Sequence, residues 1–141
     1  GPDKPGRLLE RESEAMTPFG EKVRALRAAR NMTLKQMATE LRVSSAYLSA
    51  LEHGKRGRPG SGLVMQICAL FGLIWDEAEE LKRLALLSHP RVVVDTAGLS
   101  PKATELANLL AETIHQMDEQ TIDWVLAEIR THRHVPRGPI Y

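Results

Sequence analysis

Between Thr33 and Gly54 the chain carries two short apolar stripes of helical period, with only Arg42-Val43 left to turn between them. Leu34, Met37, Ala38 and Leu41 make the first stripe, and Leu48 and Leu51 make the second. Each stripe has its own start signal. Thr33 is placed to cap the first helix, with Gln36 three residues on as its capping-box partner, and Ser44 is placed to cap the second. Gly54 stops the second helix, which is expected over residues 45–53. A chain punctuated in this way is confined to short helices joined by tight turns.

The flanking sequence continues the pattern. A first helix begins after Thr17 with Pro18 at its first position, carries Phe19, Val23 and Leu26 on one face, and ends near Asn31. Lys55-Arg56-Gly57-Arg58-Pro59-Gly60 reads as a basic loop. Ser61 is then expected to cap a fourth helix burying Leu63, Val64, Ile67, Leu70 and Phe71, with Gly72 at its end. A fifth helix is expected over residues 76–87, with Ala78, Leu81, Leu84 and Ala85 inward. Five helices complete a small core by about residue 88. Beyond His89-Pro90 the texture changes. Residues 91–95, Arg-Val-Val-Val-Asp, predict one short strand, and two more helices follow, started by Ser100-Pro101 and by Asp118. The expected class is all-α: a five-helix domain, a short strand and two C-terminal helices.

Charge is distributed unevenly. The net charge is +1, but residues 16–60 hold nine basic side chains against three acidic ones, a local excess of +6. Such a density suggests a polyanion partner, and a solvated basic face is the plainer alternative. Cys68 is the only cysteine, so no internal disulfide can form; its apolar surroundings suit a buried thiol in a reducing compartment. No apolar run is long enough to cross a bilayer, and no secretory signal is evident. A cytoplasmic protein without a membrane partner is the simple expectation. There is no phosphate-binding loop and no dinucleotide fingerprint. His115, His132 and His134 lack the spacing and co-ligands of a metal site. No enzyme activity, metal or cofactor is expected.

Thr33, Met37-Ala38, Val43-Ser44, Leu48-Ser49, Leu51-Glu52, Gly54 and Pro59, with Val23-Arg24-Ala25-Leu26-Arg27 before them, resemble the Xre family, the helix-turn-helix regulators of the Cro and phage-repressor type. The resemblance covers roughly residues 16–75. It implies binding of double-stranded DNA, with the second helix of the pair in the major groove. Carried over position by position, it implies Ser45, Ala46, Ser49 and Ala50 as base contacts. It implies an ion pair, Arg27 with Glu52, as a strut between the first and third helices. Thr33, Lys35, Ser44, Tyr47, His53, Lys55, Arg56 and Arg58 fall to the phosphates, the basic loop acting as a clamp. The chain departs from the pattern where Arg42 stands in place of the usual turn glycine. It also offers short Ser and Ala readers where long amides are common, so DNA shape and other basic side chains are expected to share the reading.

The C-terminal helices carry two stripes, Leu106, Leu109, Leu110, Ile114 and Met117, then Ile122, Val125, Leu126 and Ile129. They either fold back on the first five helices or pack on a second copy, and a homodimer suits the reading of a palindrome. The expected organisation is therefore a mobile segment 1–15, a DNA-binding domain 16–88, a dimerisation segment 89–133 and a flexible tail 134–141. The leading expectation is a dimeric transcriptional repressor. The same architecture would serve the antitoxin of a toxin–antitoxin pair, whose extra segment masks a toxin protein, or an interaction domain whose recognition helix has decayed.

Overall fold

The computed structural model describes residues 15–133. The expectations for the terminal tail and His134, and nearly all of those for the N-terminal segment, lie outside the described residues. Within them the chain is helical: α1 (Pro18–Ala29), α2 (Leu34–Leu41), α3 (Ser45–Glu52), α4 (Ser61–Phe71), α5 (Asp76–Leu86), α6 (Pro101–Thr113), a single 3₁₀ turn (Ile114–Gln116) and α7 (Glu119–His132). No strand forms among the described residues. The strand expected at residues 91–95 is irregular chain with Val92, Val93 and Val94 exposed. A strand exists only through a ladder partner, and among the described residues no second β-branched run pairs with this one. The described residues divide into two compact units between Val92 and Val93.

The first unit holds α1 to α5. Phe19 and Val23 of α1, Met37, Ala38 and Leu41 of α2, Leu48 of α3, Val64, Ile67 and Phe71 of α4, and Leu81 and Ala85 of α5 form its core. Local signals set most of the helix ends. Thr17 accepts from the Gly20 N–H and Pro18 occupies the first turn of α1. Asn31 takes a left-handed φ of 53° just past its end. Thr33 and Gln36 form a complete capping box. At α4 the cap is Gly60, not Ser61, and it makes no side-chain cap bond; Ser61 is already the first helical residue. Gly60 reaches the extended cap backbone at ψ 160°, and its carbonyl accepts from Val64 at 3.1 Å, so the helix starts one residue earlier than a serine cap allows. α5 ends at Leu86, with Leu87 as its cap.

Two side chains, Arg30 and Ser88, close this unit. Arg30, just past α1, donates from both terminal nitrogens to the carbonyls of Leu70 and Phe71 at 3.0 Å each, and lies over the Phe71 ring. It thereby satisfies two of the acceptors that the end of α4 leaves open. Ser88 is buried beyond α5; its hydroxyl donates to the Leu84 carbonyl and accepts from the Phe19 N–H at 2.9 Å. That bond ties the end of the unit to its beginning. Cys68 is buried, and desolvation pushes its thiol above the ordinary value. Trp75, between α4 and α5, has a φ of 53° and is exposed.

The second unit has well-capped helices and little interior. Ser100 accepts from Ala103 at the start of α6, and Asp118 accepts from Thr121 at 2.8 Å at the start of α7. The hydrogen bonds from Thr121 hold the Asp118 carboxyl below the usual carboxylate range. No residue of either helix is buried. Leu106, Leu109, Ile114, Trp124, Leu126 and Ile129 are exposed, and Leu110, Met117, Ile122 and Val125 are half-buried.

Candidate nucleic-acid interface

The turn between α2 and α3 depends on Arg42. This residue takes φ 59° and ψ 41°, the left-handed conformation that ends α2. The Val43 N–H then reaches back to the Ala38 carbonyl at 3.0 Å. Glycine occupies such a position without steric penalty; a side chain costs on the order of 1 kcal/mol there. The guanidinium end of Arg42 is outside the core, so the cost is local. Ser44 follows as the cap of α3 and accepts from Tyr47 at 3.0 Å.

The inner face of α3 is fixed at three buried positions, Leu48, Leu51 and Glu52. Leu48 sits in the core. Glu52 accepts from Arg27 Nη2 through both carboxylate oxygens, at 2.8 and 3.0 Å. The Glu52 side chain is almost sealed from solvent, and that of Arg27 is mostly covered. The Glu52 backbone carbonyl accepts from the Thr17 N–H at 3.1 Å. Gly20 faces the same carbonyl so closely that an added Cβ would lie 2.1 Å from its oxygen. α1 with its cap and α3 are therefore locked by the ion pair, by bonds from the Thr17 N–H and hydroxyl to the Glu52 carbonyl, and by the glycine contact.

Burial pushes the Glu52 carboxyl above the usual carboxylate range, and Arg27 opposes the shift. A raised folded-state value means this group favours the fold below the ordinary glutamate range and withdraws that support as pH rises through the raised value. Removing either partner is a different matter, since it leaves the other charge half-sealed and alone. Arg27→Ala and Glu52→Ala are each expected to destabilise the protein by about 2–4 kcal/mol. The double variant should cost less than their sum by roughly 1 kcal/mol or more. Thermal or urea melts of the three variants give the coupling; additive losses would mean that the charges do not act as a pair.

The outer face of α3 is open. Ser45 and Ala46 are exposed, and Ser49, Ala50 and Tyr47 are half-buried. His53, the cap residue, donates from Nδ1 to the Ser49 carbonyl at 2.9 Å, which orients its ring along the end of the helix. Lys55, Arg56 and Arg58 are exposed in the loop beyond, anchored by buried Pro59, and Thr33 and Lys35 are exposed at the start of α2. The Arg56 guanidinium lies over the Tyr47 ring, 5.5 Å from its centre. Ser44, Ala46, Tyr47, Ala50 and Arg56 together line a hollow of about 450 Å³ on this face. No cluster of three or more metal-binding side chains is found among the described residues. No helix among them is long and apolar enough to cross a membrane.

Two helices joined by a three-residue turn, the second held from behind and bare in front, invite comparison with known proteins. Residues 18–81 match a family model described as a helix-turn-helix domain. This segment is a helix-turn-helix domain. Two curated proteins of Bacillus subtilis (strain 168) are similar to the chain. An uncharacterized HTH-type transcriptional regulator, RghRB, is 42% identical over 55 residues, which is 39% of this chain and 40% of that protein. The HTH-type transcriptional repressor RghR is 44% identical over 52 residues, 37% of this chain and 38% of that protein. The chain thus covers about 40% of the length of these relatives. No solved structure matches it.

Three residues that hold the helix-turn-helix domain together escaped sequence reasoning. Gly20 gives no local sign, because its role is set by a residue 32 positions away. Arg30 looks like one more cation of the basic segment, yet both its terminal nitrogens are committed to α4. Ser88 looks like an ordinary helix-end serine. Only the tertiary fold brings it to the Phe19 N–H.

Proposed function

We propose that the protein binds double-stranded DNA as a transcription regulator, inserting α3 into the major groove. The observation that carries this reading is the asymmetry of α3. Its inner face is locked by Leu48, Leu51 and the Arg27–Glu52 pair, and its outer face presents only small or half-buried side chains ringed by exposed cations. A helix held in this way is a rigid blade of groove width. The match of residues 18–81 and the regulator and repressor relatives support the same reading.

In this reading Ser45, Ala46, Ser49 and Ala50 face the base edges. Thr33, Lys35, Ser44, His53, Lys55 and Arg58 contact the phosphates on either side, with the 55–58 loop closing over the backbone. The protein acts as a homodimer and a repressor. Its two copies read the halves of a palindrome, with centres one helical turn, about 34 Å, apart. The uncovered apolar positions of α6 and α7 support pairing of two copies through residues 89–133.

Salt tests the central claim. If about six phosphates are contacted, the logarithm of the binding constant should fall with the logarithm of salt concentration at a slope of about −5. Between 50 and 200 mM salt the affinity for a duplex should therefore drop about a thousandfold. Titrations of labelled duplex DNA by fluorescence anisotropy measure the slope. Affinity indifferent to salt would end the groove-binding reading.

A further inference from the structure

Apart from Tyr47, whose ring lies under Arg56, the outer face of α3 lacks a long hydrogen-bond donor of its own. Ser45 and Ser49 offer hydroxyls, which pair with any base edge, and Ala46 and Ala50 offer only methyl groups. The nearest long donor comes from outside the helix. Arg56 lies three residues past His53, the cap of α3, and folds back over Tyr47, in the first turn of α3, with its guanidinium carbon 5.5 Å from the ring centre. It lines the same hollow as Ala46 and Ala50. Two side chains of the base-facing set and one arginine therefore share a single recess.

We propose that Arg56 is a base-reading residue and Tyr47 the residue that positions it, and that together they specify a guanine next to a thymine in each half-site. This deepens the DNA-binding reading above and rests on it. Stacking occupies the face of the guanidinium and leaves its edge, with paired N–H donors, free. That edge matches the O6 and N7 acceptors of guanine in the major groove. The walls of the hollow supplied by Ala46 and Ala50 are methyl groups, which suit the methyl of thymine and offer no partner to a polar base edge. Holding the arginine against a ring before DNA arrives removes part of the ordering cost that a loose loop side chain would bear. Ser44, which also lines the hollow, accepts from the Tyr47 backbone N–H and so caps the turn of α3 that carries the ring.

Selection from a randomised duplex library with the full chain tests this. The wild type should recover a motif with one dominant guanine beside thymine in each half-site. Arg56→Lys keeps the charge, so its salt slope should match the wild type, but discrimination for that guanine should fall about tenfold or more. Arg56→Ala should lose the same discrimination. Tyr47→Phe keeps the ring and should keep the preference; Tyr47→Leu should weaken it at that position alone, an effect that a merely structural tyrosine would not produce. Arg56→Lys recovering the wild-type motif with wild-type discrimination would overturn the proposal and leave Arg56 as a phosphate contact. So would a wild type that binds duplexes with a steep salt slope but selects no sequence, and that result leaves DNA binding itself intact. Absence of salt-dependent duplex binding would remove both readings together.

Discussion

Gly20→Ala is expected to destabilise the helix-turn-helix domain by about 3 kcal/mol, the upper end of overpacking costs. Helix propensity alone gives the opposite sign, since Ala is better than Gly in a helix interior by about 1 kcal/mol. Sterics decide it. The new Cβ would stand 2.1 Å from the Glu52 oxygen, 2.7 Å from its carbonyl carbon and 2.8 Å from its Cα. All three atoms are backbone, so no rotamer change relieves the overlap; α3 must move away from α1. That movement would also stretch the Arg27–Glu52 pair and the Thr17 bond to the same carbonyl. Gly62→Ala is the matched control. Gly62 lies in α4 with open space around its Cβ position, so the substitution should be neutral or stabilise by up to about 1 kcal/mol. Thermal melts should separate the two variants by roughly 15 °C or more, at about 4–8 °C per kcal/mol for a domain of this size. Equal melting temperatures would show that α1 and α3 do not approach as closely as Gly20 implies.

The combined substitution Leu106→Asp and Leu109→Asp should abolish dimerisation and lower affinity for a palindromic site by about a hundredfold or more. Both leucines are exposed in the single chain, so charge there costs the isolated fold little. In a seam between copies the same charges would be buried without partners. The case for such a seam is the surface itself. α6, the 3₁₀ turn and α7 leave Leu106, Leu109, Ile114, Trp124, Leu126 and Ile129 exposed, a set of apolar side chains that a second copy would cover. Two half-site contacts joined in one dimer bind far more tightly than either alone, by effective concentration. Truncation after Val92 gives a second route to the same state. It retains the entire buried core and Ser88, and should leave a folded monomer with weak duplex binding. Sedimentation of these variants beside titrations with palindromic DNA is the measurement. A variant that stays dimeric, or a monomer that binds as tightly as the full chain, would refute the role given to these helices.

What could be read from the chain in advance follows the range of the interaction. Thr17, Thr33 with Gln36, Ser44 and Asp118 act within three residues of their targets, so their identity and spacing were enough to place four helix starts. Asn31 and Arg42 are local as well. An arginine at the second position is the exception that shows how the turn is built, because the left-handed backbone is kept and its cost accepted. The reading weakened wherever a partner lies elsewhere in the chain. Val92 to Val94 have strand propensity and no ladder partner among the described residues. Ser61 resembles a cap, yet the chain enters α4 through Gly60. For the interface, the resemblance points to the face of α3, but the stacking of Arg56 on Tyr47 joins residues nine apart through the loop after α3, and no local pattern encodes it.

The two exposed tryptophans have an experimental consequence. Trp75 belongs to the first unit and Trp124 to the second, and the sequence contains no others. Both indoles stand in water, so the free chain should fluoresce at the red end of the tryptophan range. Each unit therefore carries its own optical reporter without any label. Pairing of copies through α7 would shift the Trp124 emission to shorter wavelength and shield it from iodide quenching, while Trp75, far from α3 in sequence and outside the proposed seam, would hold its colour. With Trp75→Phe the remaining signal would report assembly alone, and a single cuvette could follow dimer formation without any label.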